Sequence, residues 1–287
     1  VLVLGHHQAP VRCLAYSPDS QLLATGDEDG QLLLWDRSRI EQPLASLDCL
    51  SGVEALSFAP TGKFLVAGTA DGQVIQWDFA QPEIREPAHE GGVSSVLFTP
   101  SGRYFLSGGW DGRLGLWSAQ HQHLKSEPPL PVPVKALVAA PSGDLLLAAC
   151  TDGSLYRYDL ITGKCPLFLR SQLPLVCLAC SPDGQRLAGG ANGIITVWDR
   201  NTQEVRSTLT GDMWLVFGLG FLPDGRTLVS GNADGTVRLW DLDTGREKQT
   251  YRWHSNWVTC LAVSPDGNTA AAGSEDATVV IWDLDGE

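Results

Sequence analysis

The sequence is poor in features that would point to several common protein classes. No apolar run approaches the ~20 residues that span a bilayer, so no membrane segment and no membrane partner are expected. Helix-forming patterns are hard to find, and Met213 is the only methionine. No basic stripe is visible and the formal net charge is −13. That balance argues against nucleic acid, whose phosphates need a basic groove. It favours a basic peptide or a basic protein face as partner. The seven cysteines are an odd number, which excludes a complete disulfide framework. Cys177 and Cys180 form the one CxxC, and no second CxxC exists to complete a zinc site. Strand residues three apart face opposite ways, so the two read as core thiols rather than metal ligands. Free thiols point to a reducing compartment, and a cytoplasmic location is expected. No secretory signal is visible. GxSxG, Walker A, HExxH and dinucleotide fingerprints are absent, and no cofactor is expected.

Short strands between turns are what the sequence does have. Glycine is abundant, at 31 residues, and Gly- and Pro-marked turns recur throughout, as in an all-β chain. The stretch "TVRLWD" has near-copies in "QLLLWD", "QVIQWD", "RLGLWS", "SLYRYD", "IITVWD" and "TVVIWD". Each follows a turn such as "EDG" or "ADG", and earlier in each unit lies a turn such as "SPDG". The runs that open the units start at Val11, Val53, Val93, Val134, Leu175, Val216 and Val258, spaced 40 to 42 residues apart. Proline keeps one offset in every unit, from Pro18 and Pro60 to Pro223 and Pro265. The repeat cores fall near residues 11–36, 53–78, 93–118, 134–159, 175–199, 216–241 and 258–283.

Each unit reads as four short antiparallel strands. Such a sheet has two apolar faces and exposed edges, and it is not stable alone. Radial stacking buries both faces and shortens the free edges.

With Trp-Asp at Trp35-Asp36, Trp77-Asp78, Trp198-Asp199, Trp240-Asp241 and Trp282-Asp283, the chain resembles the WD-repeat β-propeller family over its whole length. Trp117-Ser118 and Tyr158-Asp159 depart from the pattern. The expectation is an all-β, seven-bladed propeller of four-stranded antiparallel blades, forming one domain over residues 1–287. The last unit lacks an outer strand, and "VLVL" at Val1 to Leu4 is expected to supply it and close the ring.

The resemblance implies a hydrogen-bonded set in each blade: a His, a Ser or Thr, an Asp and the Trp. His7, Thr25, Asp29 and Trp35 fit the first unit, and His89, Ser107, Asp111 and Trp117 the third. His254, Asp276 and Trp282 fit the seventh, but Ala272 replaces the hydroxyl. Ser230, Asp234 and Trp240 fit the sixth, with Asp212 where His is expected. A catalytic Ser-His-Asp triad has no reason to recur with the fold, so these sets read as structural. Cys13, Cys177 and Cys260 share one repeat position that wants a small residue. His121 and His123, in "HQH", read as solvated loop histidines. "PPLPVP", residues 128 to 133, reads as a connector rather than a peptide ligand. "DEDG" and "DLDTG" lack the later ligands of a calcium loop.

Family members of this kind scaffold other proteins, so a non-catalytic, monomeric interaction module is expected. The alternatives are a docking or sensing domain of a larger signalling enzyme and, behind it, a propeller hydrolase. In a four-stranded antiparallel blade the loops alternate sides, so the second-to-third strand turns share a rim with the connections between blades. The expected partner-binding residues are Asp27, Glu28, Trp110 and Glu275 from the turns, and Glu90, Asp212, Trp214 and Trp257 from the connections.

Overall fold

The computed structural model describes residues 1–79, 83–120, 122–126 and 129–284, without the side chains of Ser126, Asp212 and Met213. His121 and Pro128, named above, lie outside the described residues. Every regular element among the described residues is a strand. The local chemistry explains why. In the first unit, Pro18 follows Ser17, whose hydroxyl accepts the Leu22 N–H at 2.8 Å and donates to Asp19 at 2.6 Å. The same Ser–Asp stitch recurs at Ser181–Asp183 and Ser264–Asp266. These turns return the chain onto itself and set the register of the first two strands.

Five sheets are four-stranded. One joins Val11–Tyr16, Leu22–Asp27, Gln31–Asp36 and Ala45–Asp48 in sequence order, and the units opening at Val53, Val93 and Val134 follow the same plan. In another, Leu2–Leu4 pairs antiparallel with Val279–Asp283, opposite Val258–Val263 and Thr269–Ser274, with Leu2 facing Ile281.

The seven-bladed expectation is corrected here. The propeller has five four-stranded blades, and residues 177–251 form one seven-stranded sheet. Its central strand, Val205–Phe221, is 17 residues long. The first part pairs with Asn192–Asp199 as an outer strand, and the last part pairs with Thr227–Asn232 as an inner one. The physical cause is a connection that never breaks. Here "GDMWL" stays extended, so the outer strand of one unit runs directly into the inner strand of the next. The preceding turn is also short, so Asn192 reaches Leu215 and pairs with it.

Inner strands of successive units pack side by side in cyclic order, and Val258–Val263 meets Val11–Tyr16. A glycine on the second strand makes this approach possible. A Cβ at Gly26 would lie 2.7 Å from Val53, and one at Gly273 would lie 2.6 Å from Val11 across the seam. Cys13 donates its thiol proton to the Val53 carbonyl at 3.2 Å, and Cys177 does the same to Val216 at 3.3 Å. The shared small-residue position is thus a point of close contact between neighbouring units. Arg37 reaches the Ser20 carbonyl at 2.6 Å and Asp266 at 3.3 Å, while the Ser20 hydroxyl accepts the Asp266 N–H at 3.0 Å. Ser20 therefore keeps its left-handed φ of 60°, where the corresponding turns carry glycine, because its hydroxyl ties the seam.

Candidate functional site at the channel mouth

Backbone hydrogen bonds join the second-to-third turns to the connections. Glu28 N–H donates to Pro10, Trp110 N–H to Gly92, and Glu275 N–H to Trp257, at 2.9 to 3.0 Å. Turns and connections therefore form one rim around a central cavity of about 660 Å³. The second residue of each inner strand faces this cavity. Arg12, Glu54, Ser94, Lys135 and Thr259 make a polar arc, and Val176 and Phe217 an apolar one. Two residues further along each strand the lining turns aliphatic, with Leu14, Leu56, Val96 and Leu137 among it.

The expected site residues divide into three groups. Trp110 and Trp257 are each 44% exposed, and Trp214 is 67% exposed. The Trp110 ring lies under the Lys135 ammonium, 5.0 Å from its centroid. Trp257 stacks on Phe217 with centroids 5.8 Å apart. Glu28 and Glu275 stand at the mouth, but Arg12 holds both, at 2.8 and 2.6 Å. Glu90 is exposed, its N–H bonded to Asp111. Asp212 lies in the long strand Val205–Phe221, and its side chain is outside the described residues.

Asp27 is not on the rim surface. It is buried, and its carboxylate accepts the His7 Nδ1–H at 2.8 Å. Thr25 then donates to His7 Nε2 at 2.7 Å and accepts the Trp35 indole N–H at 2.9 Å. Asp29, expected in this role, is exposed instead. The third unit shows the reason. There the position of Asp27 is Gly109, and a Cβ on it would lie 2.4 Å from His89. With that space empty, Asp111 takes His89 Nδ1 at 2.9 Å, and Ser107 links His89 Nε2 and Trp117, at 2.9 and 3.0 Å. In the seventh unit His254 Nδ1 lies 3.0 Å from Thr278 and 3.5 Å from Asp276. Without a hydroxyl at Ala272, His254 Nε2 and Trp282 Nε1 are buried with no partner among the described residues. In the sixth, Ser230 accepts the Trp240 N–H at 3.0 Å, and buried Arg238 binds Asp234 and Glu247.

In the first and third units these sets fill space and satisfy buried polar groups, and burial holds His7 and His254 below the ordinary imidazole value. Burial also pushes the Cys177 thiol up to about 12, far from a reactive thiolate. His123 opens the strand His123–Ser126 rather than sitting in a loop, with its ring 4.7 Å from Trp117. Among the described residues no three His, Cys, Asp or Glu side chains are grouped to hold a metal ion. No helix among them is long and apolar enough to cross a membrane.

The WD domain, G-beta repeat family matches residues 1–36, 41–78, 81–118, 163–199, 203–241 and 245–283. The chain belongs to this WD-repeat family. The unmatched stretch between 118 and 163 is the WD-repeat unit whose Trp is replaced by Tyr158. This WD-repeat chain is similar to the U3 small nucleolar RNA-associated protein 4 homolog of Homo sapiens, at 28% identity over 110 residues. The same protein of Mus musculus matches equally, at 28% over 110 residues. The match covers 34% of this chain and 16% of each relative, so the chain spans only a small part of their length.

Sequence reasoning missed Arg12, Glu54 and Lys135. Their signal was a charged residue at one repeated offset inside otherwise apolar inner strands.

Proposed function

We propose that this propeller is a non-catalytic scaffold that binds a protein or peptide segment across the channel mouth. The observation that carries the reading is the exposure of three tryptophans, Trp110 on a second-to-third strand turn and Trp214 and Trp257 on connections between units, with Trp110 lining the open cavity. None of them occupies the repeated Trp position that fills the blades. Large aromatic side chains are favoured as binding anchors. WD-repeat proteins typically bind proteins without catalysing a reaction, and the buried, mutually bonded His-Ser/Thr-Asp sets give no open nucleophile. The net charge of −13 favours a basic partner over a polyanion such as RNA. The seven free cysteines support a reducing compartment such as the cytoplasm. A docking role inside a larger assembly is the second reading, supported by relatives far longer than the matched segment.

The test is affinity capture with the protein and with its Trp214→Ala/Trp257→Ala variant, followed by calorimetry on the captured partner. A protein segment bound by the former and lost by the latter supports the proposal. Binding of RNA alone, or a partner held equally by both, overturns it.

A further inference from the structure

Among the described residues, five charged side chains line the cavity or contact its lining, and their partners decide what it can accept. Arg12 uses separate nitrogens for Glu28 and Glu275, at 2.8 and 2.6 Å, so these three are mutually satisfied. Lys135 faces the Trp110 ring at 5.0 Å. Glu54 stands on the inner strand between those of Arg12 and Ser94, lining the same cavity. Among the described residues it has no hydrogen bond and no ion pair. Arg12, Lys135 and Glu28 act on it only through space, and burial dominates, raising its pKa above the ordinary carboxylate value.

We propose that Glu54 is the specificity-determining residue of the channel mouth and takes one cationic side chain, a lysine ammonium or an arginine guanidinium, from the bound segment. The inference rests on the interaction reading above. Three arguments select a cation over an anion. The five charges sum to −1, counting Arg12 and Lys135 against Glu28, Glu54 and Glu275. An arriving anion would meet Glu54 unneutralised, whereas a cation completes its pairing. Lys135, which competes as an anchor for an anion, already has the π face of Trp110 beneath it. The net charge of −13 adds a long-range field of the same sense. Beyond the charge, Phe217 and Trp257 offer an apolar wall on the other arc, suited to the methylene stem of a long basic side chain. The aliphatic lining that includes Leu14 and Leu56 keeps the floor apolar, which strengthens a charge pair formed above it.

Heptapeptide libraries with a fixed central Arg, Lys, Gln or Glu, degenerate elsewhere, provide the probe. Binding of each library to the protein, to Glu54→Gln, to Glu54→Lys and to Trp257→Ala is measured by fluorescence polarisation. The protein is expected to favour the Arg and Lys libraries about tenfold over Gln. Glu54→Gln should erase that preference, and Glu54→Lys should reverse it toward Glu. Trp257→Ala should weaken all libraries alike. Melting curves of the variants establish that the fold is kept. A preference for Glu in the unmodified protein, a cation preference that survives Glu54→Gln, or no binding of any library overturns the proposal. A cation preference that persists in Glu54→Gln while Trp257→Ala still weakens binding rejects the role of Glu54 alone. Insensitivity to Trp257→Ala rejects the face itself.

Discussion

Replacing Ala272 by serine should stabilise the protein, and the structure supplies the magnitude. In the first unit one hydroxyl, Thr25, serves two buried groups, His7 Nε2 at 2.7 Å and the Trp35 indole at 2.9 Å. Ala272 stands at the same offsets, 18 residues after His254 and 10 before Trp282, and His254 Nε2 and Trp282 Nε1 are buried without a partner among the described residues. His254 Nδ1 lies 3.0 Å from the Thr278 hydroxyl, which itself donates to Asp276 at 2.5 Å. Nδ1 therefore carries the proton and Nε2 is an acceptor. A serine hydroxyl would donate to Nε2 and accept the Trp282 N–H, so one added oxygen satisfies both. An unsatisfied buried polar group costs about 1–3 kcal/mol, and a made hydrogen bond returns about 1 kcal/mol net. Subtracting the strain of adding an atom at a fully buried site, Ala272→Ser should contribute about 2 kcal/mol. For a chain of this size that is a rise of about 4 °C in melting temperature. Differential scanning calorimetry measures it, with Ser107→Ala, which removes the matching hydroxyl in the third unit, as the mirror control. If Ser107→Ala destabilises while Ala272→Ser leaves the melt unchanged or lowers it, the reasoning is refuted.

Deleting Val1 to Leu4 removes the strand paired with Val279–Asp283 and the buried Leu4, so the melting temperature should fall by several degrees; an unchanged melt contradicts this. Trp110→Ala and Trp257→Ala should each weaken binding of the captured partner by about 2 kcal/mol in calorimetry, and unchanged affinity in both, with loss on mutating Arg37 or Arg200 on the opposite rim, rejects that face. Burial lowers the pKa of His7 and His254 against the pull of Asp27 and Asp276. Their unfolded forms take up protons near pH 6.5, at about the free imidazole value, so the unfolded state binds more protons below it. Their contribution is complete above about pH 6.5 and declines as the pH falls toward the lowered folded values. Thermal melts from pH 7.5 to 5.5 should show falling stability, and a flat or rising trend counts against the assignment.

What the sequence by itself determined was everything that repeats. The spacing of Pro18 through Pro265, the Trp-Asp pairs and the alternating apolar runs follow from local turn and strand chemistry, and that chemistry acts over a few residues. The shared rim of turns and connections was legible for the same reason, since antiparallel strands force their loops to alternate sides. The tertiary structure decided what each unit does differently. Nothing in "GDMWL" marks it off from the link "HSNW" before Val258, which has neither Pro nor Gly, yet here the strand runs on, Asn192 pairs with Leu215, and two units share one seven-stranded sheet. Asp27 and Asp29 stand two residues apart in one turn, and the choice between them fell to space, because Gly109 leaves room in the third unit that Asp27 fills in the first. Arg12 and Glu275 meet across 263 residues of chain. Arg12 thereby engages two carboxylates, Glu28 and Glu275, that sequence counted as available, while Glu54 has no hydrogen-bond or ion-pair partner among the described residues. A charge is satisfied by whatever the ring brings within a few ångströms, and the period of a repeat carries no record of that.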